Sequence, residues 1–220
     1  MNNKRCLNMR FFSVLAILIL VVLSPTAAFA KEVRDADVAS IEKAESYMQG
    51  LKSAQARFVQ TAHDGTQSVG TFYLQRPGKL RFEYDPPIEN FIVADGAFIY
   101  FYDADLEQQT NAPIQATLAN FFLRKDFSLT EDLLVKNARF VGDDLQIKVV
   151  KAKDPEGGSI TFVFGKNPFV LKKWRVVDPQ NLITEVELFH LKNNIKHDKK
   201  LFVYIDPKFT DKDRKPSFNN

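Results

Sequence analysis

The chain has 220 residues, with 30 basic and 27 acidic side chains, 20 phenylalanines and one cysteine. Its basic excess lies entirely in the first thirty residues, where Lys4, Arg5 and Arg10 meet no acidic residue; from Lys31 onward 27 basic groups balance 27 acidic ones. That balance gives no electrostatic case for nucleic acid or an anionic lipid surface.

Residues 1–30 read as an export signal. The three basic residues precede an apolar run from Phe11 to Leu23, and Ala28–Phe29–Ala30 supplies a small-x-small cleavage site, so cleavage is expected after Ala30. An uncleaved membrane anchor is the alternative, but the run is shorter than the ~20 residues a span requires, and Ser24–Pro25 ends it. Cys6 lies upstream of the run, where it cannot serve as a lipid attachment site just after it, and it leaves with the signal. The remaining chain then has no disulfide framework, thiol nucleophile or thiolate metal site. Residues 31–220 suit a single domain that buries roughly 70% of its unfolded surface.

Within that domain, Asp37 to Leu51 predicts an amphipathic helix. Val38, Ile41, Ala44, Met48 and Leu51 recur at three- and four-residue spacing, with Asp37 as N-cap and Gly50 near the end. Ala54, Ala56 and Phe58 then alternate with polar residues as in a half-buried strand, and Asp64–Gly65 supplies a turn. The next stretch, Gly70 to Tyr84, predicts two alternating strands hinged on Pro77–Gly78. By a period of two, Arg76 shares a face with Phe72 and Leu74, and Leu80, Phe82 and Tyr84 form the apolar row across the turn. A guanidinium on an apolar face needs acceptors there; a bulge or turn that rotates Arg76 outward is the other reading.

Asp85–Pro86–Pro87 breaks the chain before a strand at 88–94, Asp95–Gly96 turns it into 98–102, and 106–110 continues the meander. Pro113 opens a second helical piece with Ile114, Leu118, Phe121 and Phe122 on one face. Further strands are expected near 135–141, 145–151, 159–164, 169–177, 182–191 and 200–205, with breaks at Gly142–Asp143, Gly157–Gly158, Asn167–Pro168, Asp178–Pro179 and Asn193–Asn194. The tail from Asp206 is polar.

Ten to twelve strands with short connections predict a mainly β protein with some α structure, and an antiparallel sheet. A sheet that large tends to curl, and a curled sheet beyond about eight strands leaves room inside. The expected architecture is an unclosed β half-barrel with a lid of short helices over a hydrophobic cavity. Catalytic signatures are missing: there is no G-x-S-x-G, no H-E-x-x-H and no phosphate-cradling glycine loop. His63, His190 and His197 fall in different elements without metal-ligand spacing, and Asp103-Ala-Asp105 lacks the glycine and final glutamate of a calcium loop. Neither an enzyme, a metal nor a cofactor is expected.

One stretch is more specific. Gly70-x-Phe72-x-x-x-Arg76-Pro77-Gly78-x-x-x-Phe82-x-Tyr84-x-x-Pro87, followed by Asp95–Gly96, Tyr100-x-Tyr102-Asp103 and Leu106-x-Gln108, resembles the periplasmic outer-membrane lipoprotein carrier family LolA. The N-terminal helix, Phe58-x-Gln60 and a closing strand from Phe202 to Pro207 extend the likeness. Tyrosine at Tyr73 and alanine at Ala94 depart from the family's usual tryptophan and serine. The resemblance implies a soluble periplasmic chaperone that takes acylated lipoproteins from an inner-membrane ABC transporter and passes them to an outer-membrane receptor. It implies that Arg76 bonds lid-helix backbone and latches the lid. For Phe58, Phe72, Leu74, Leu80, Phe82, Tyr84, Tyr100, Phe121 and Phe122, cavity lining and ordinary core packing are both open. A monomer is expected, with no nucleic-acid partner; a carrier or sensor of a free lipid or glycolipid on the same fold is the alternative.

Overall fold

A computed structural model describes residues 33–209; the expected signal segment 1–30, its cleavage after Ala30 and the charged tail from 210 lie outside the described residues. In chain order the elements are β1 (Val33–Asp35), α1 (Val38–Gly50), β2 (Ser53–Thr61), β3 (Gln67–Gln75), β4 (Lys79–Tyr84), β5 (Phe91–Asp95), β6 (Phe98–Asp103) and β7 (Gln108–Pro113). A 3-10 turn (Ile114–Ala116) and α2 (Ala119–Leu123) follow. The second half comprises β8 (Leu133–Val141), β9 (Asp144–Lys151), β10 (Asp154–Lys166), β11 (Phe169–Val177) and β12 (Ile183–Asn193), closed by 3-10 turns at Lys199–Phe202 and Pro207–Phe209.

The twelve strands of the described residues belong to one antiparallel sheet in the order β1-β8-β9-β10-β11-β12-β2-β3-β4-β5-β6-β7. Two meanders, β2–β7 and β8–β12, are joined where β12 pairs with β2, Glu187 opposite Val59. The sheet does not close, since β1 and β7 stand at opposite edges. Alternation decides its inner face. Phe72 lies opposite Phe82 and Leu74 opposite Leu80, while Ile147 opposite Phe162 continues the same face in the other meander. All six are buried.

The helices lie over that face. Asp37 caps α1, its carboxylate accepting from Ser40 N at 2.9 Å, so one orphan amide of the first turn is satisfied. Ala44 and Met48 are buried beneath α1, and Tyr47 meets the rings of Phe164 and Phe169 edge-on. The expected second helix divides into the 3-10 turn and the short α2, and Pro113 ends β7 instead of opening the helix. Phe121, Phe122 and Leu123 of α2 are buried.

Two sequence expectations are corrected. The segment 200–205, and with it the closing strand from Phe202 to Pro207, is not a strand. β12 already pairs on both sides, with β11 and β2, so no ladder is free beside it. The segment instead packs its aromatic side chains on the outer face. Phe202 is buried against the His197 ring, His197 meets Tyr73 edge-on, and Tyr204 stacks on Tyr100 at 4.8 Å. The expected break at Gly157–Gly158 is also not an end: β10 runs through it with a register shift between Asp154 and Ser159. Gly158 takes φ 108°, and a Cβ there would sit 2.6 Å from the Val177 carbonyl, so glycine carries the bulge rather than a turn.

Candidate functional site

Between the sheet and α2 lies a cavity of about 210 Å³. Phe72, Leu80 and Phe82 from β3 and β4 form one wall, extended by Ile92 and Ile99 of the next two strands. Ile160 and Phe162 of β10 with Trp174 and Val176 of β11 form the other, and Leu118, Ala119 and Phe122 form the roof. The lining is almost wholly apolar. Its rings touch across the space, Phe72 to Trp174 at 5.5 Å and Phe122 to Trp174 at 5.3 Å, so roof and floor are held together by aromatic contacts worth about 1 kcal/mol each beyond their burial.

Arg76 sits at the rim where the β3–β4 hairpin meets both helices. It is buried, and its Nε donates to the Phe122 carbonyl of α2 at 2.7 Å while Nη1 donates to the Met48 carbonyl of α1. Both acceptors belong to the last turns of their helices, where the backbone carries partial negative charge; the Met48 carbonyl also accepts the Leu51 N–H at 3.3 Å. That is how a guanidinium stays buried here: among the described residues no carboxylate pairs with it. The faces of Phe122 and Phe127 add cation–π contact at 5.1 and 5.6 Å. Burial, with repulsion from Arg124 beside it, pulls the Arg76 guanidinium down to about 10. The hairpin grips α2 a second time through Gly78, whose N–H donates to the Leu123 carbonyl at 2.8 Å. Gly78 has φ 78°, and a Cβ there would stand 2.8 Å from Gly96 Cα, so both conformation and space require glycine.

A further clasp ties the loop after α2 to α1. Gln49 Nε2 donates to the Phe127 carbonyl at 3.0 Å, and the Glu45 carboxylate accepts from Leu129 N at 3.2 Å. Phe127 and Leu129 are thereby pinned in the core.

Of the nine candidate cavity residues, Phe72, Leu80, Phe82 and Phe122 line the space. Phe58, Leu74, Tyr84 and Phe121 are buried in the surrounding core, Phe58 edge-on to Phe82 and Tyr84. Tyr100 lies on the other face, opposite Val93, with its hydroxyl on the Asp95 carboxylate at 3.3 Å and its ring under Tyr204. The alternation that places Ile99 inside places Tyr100 outside. The far wall was missed: β10 and β11 show the alternation, but nothing local says that they face β3 and β4. Among the described residues no group of three or more His, Asp or Glu could hold a metal ion, and no helix is long and apolar enough to cross a membrane.

An open antiparallel sheet that holds an apolar cavity beneath short helices defines a half-barrel scaffold with room for an apolar ligand. The chain belongs to the outer membrane lipoprotein carrier protein LolA family, whose model matches residues 49–205. Similar proteins include the outer-membrane lipoprotein carrier proteins of Legionella pneumophila (strain Paris), 31% identical over 183 residues and covering 78% of this chain and 88% of that one, and of Methylococcus capsulatus, 29% identical over 170 residues with 74% and 81% covered. Among solved structures, a LolA superfamily protein from Nitrosomonas europaea aligns over 77% of this chain and 98% of its own, at 11% identity and a TM-score of 0.42.

Proposed function

We propose that the protein is a periplasmic chaperone that accepts acylated lipoproteins released from the inner membrane, shields their acyl chains in the apolar cavity and delivers them to the outer membrane. On this reading residues 1–30 are removed on export, an inner-membrane ABC transporter supplies the cargo and an outer-membrane receptor takes it. The observation that supports it most is the apolar cavity roofed by α2 and closed by a single buried cation on helix carbonyls. Each acyl methylene exposed to water costs ~0.8 kcal/mol, so a multiply acylated protein needs a carrier across an aqueous compartment.

The cavity of about 210 Å³ is smaller than the ~300–1,000 Å³ usual for ligand sites, so it must widen to take acyl chains, and loading lifts α2. A ligand that fits only the open state shifts the population toward it. Arg76 is the latch of that equilibrium. Purification from the periplasm followed by mass spectrometry tests the proposal: acylated protein should co-purify and pass to outer-membrane acceptor vesicles, and its absence from both steps would sink the idea.

A further inference from the structure

The latch has an unused donor. Arg76 Nη2 is buried and has no hydrogen-bond partner, while Nε and Nη1 are taken by the Phe122 and Met48 carbonyls. Arg76 also lines a second concavity, of about 450 Å³, outside the lid and apart from the acyl cavity. Its other walls are Gln49, Lys52, Pro77, Lys125 and Asp126. Three cations therefore surround this hollow against one carboxylate, and neither Lys52 nor Lys125 belongs to an ion pair among the described residues.

We infer that this hollow is an oxyanion site, for a carboxylate or phosphate, whose occupation releases the latch. The reason lies in the shape of the guanidinium. An oxyanion pairs with arginine best through two parallel N–H bonds along one edge, roughly twice as strong as bonds to neutral acceptors. The Nε–Nη2 edge of the Arg76 fork includes the free Nη2, and Nε has one hydrogen, already given to the Phe122 carbonyl. A bidentate anion on that edge therefore takes Phe122 off the guanidinium. It also supplies the counter-charge that the buried cation lacks, and Lys52 and Lys125 draw it in. The inference rests on the carrier reading and deepens it: an acidic group on cargo or on a docking partner would open the lid as the acyl chains arrive.

The test measures binding of an uncharged fluorescent dye, N-phenyl-1-naphthylamine, to the full-length processed protein in sodium chloride, acetate or phosphate at equal ionic strength. An anion that binds only the unlatched state at about ten times its dissociation constant raises the open fraction about tenfold, so the dye should bind about tenfold tighter. A response to acetate alone marks a carboxylate ligand, and one to phosphate alone a phosphate. The double variant Lys52→Gln/Lys125→Gln should bind dye in chloride as the parent does but require about tenfold more anion for the same shift, a change of ~1.4 kcal/mol. No shift against chloride, or an undiminished shift in the double variant, overturns the inference. The single tryptophan, Trp174, reads the same transition without dye, because its ring lies 5.3 Å from Phe122 of the roof. A protein that fails to bind dye thus refutes the cavity reading, while its Trp174 emission still decides the anion site.

Discussion

Arg76→Leu separates the latch from the fold. The native cation is held at about 10 by burial and by Arg124, against 12.5 for a free guanidinium. That displacement corresponds to roughly 3 kcal/mol of unfavourable desolvation at neutral pH. Against it stand two bonds from a charged donor to the Phe122 and Met48 carbonyls, each about 1.5–3 kcal/mol. Leucine removes both sides of this balance and adds ~1.5 kcal/mol of apolar burial against Phe122 and Phe127, while the Phe122 carbonyl loses its donor at a cost of about 1–3 kcal/mol. Across those ranges the net change runs from about +0.5 to about −4.5 kcal/mol, a loss of about 2 kcal/mol at the midpoint, milder than the ~3–5 kcal/mol of breaking a buried ion pair. For a domain of this size, at about 2–4 °C per kcal/mol, Tm should fall by about 4–8 °C. Function should not be spared. On the proposed carrier reading the variant lid lacks its polar latch, so transfer of an acylated protein from the loaded carrier to acceptor vesicles should slow at least tenfold. Calorimetry and a transfer time course check the two halves separately. Transfer at the wild-type rate would refute the latch, and a collapse in Tm would refute the energy balance.

Three further outcomes follow from the same geometry. Ala119→Phe places a ring from the roof into the cavity; dye affinity should fall at least tenfold with Tm unchanged or raised, as measured by fluorescence titration and calorimetry, since filling a void restores contacts. Gly78→Ala forces a side chain into φ 78° and against Gly96 Cα, so chemical denaturation should show a loss of about 2 kcal/mol or more. Tyr84 is buried with its hydroxyl on Gln60 at 2.9 Å, and burial pushes its phenol up to about 12 from 10. The unfolded chain therefore loses this proton first, and stability falls as pH rises from about 10 to 12, by up to roughly 3 kcal/mol. Denaturant titrations across that range should show the loss in the parent and a flatter limb in Tyr84→Phe.

The hairpin around Arg76 shows how far local reading reaches. Alternation about Pro77–Gly78 puts Arg76 with Phe72 and Leu74, and the structure has all three on the inner face, because a two-residue period leaves one free choice of register for the entire strand. Tyr100, left open between cavity and core, lies instead on the outer face. On β6, flanked by Phe98 and Phe101, both faces are aromatic, and only the packing of Tyr204 over the outer one distinguishes them. Phe202–Pro207 failed for another reason: its pattern suits a strand, but β12 already has both neighbours.

Composition, punctuation and alternation by themselves determined that the chain is a large antiparallel sheet with short helices, and that Arg76 falls in step with Phe72 and Leu74. Those are nearest-neighbour properties, set by side-chain period and turn chemistry. Tertiary structure alone decided that β10 and β11 wall the cavity opposite β3 and β4, and that the Met48 and Phe122 carbonyls receive the guanidinium. Backbone acceptors at helix ends carry no residue signature, and the pairing of β12 with β2, which brings the two meanders face to face, closes more than a hundred residues of chain that no local pattern can span.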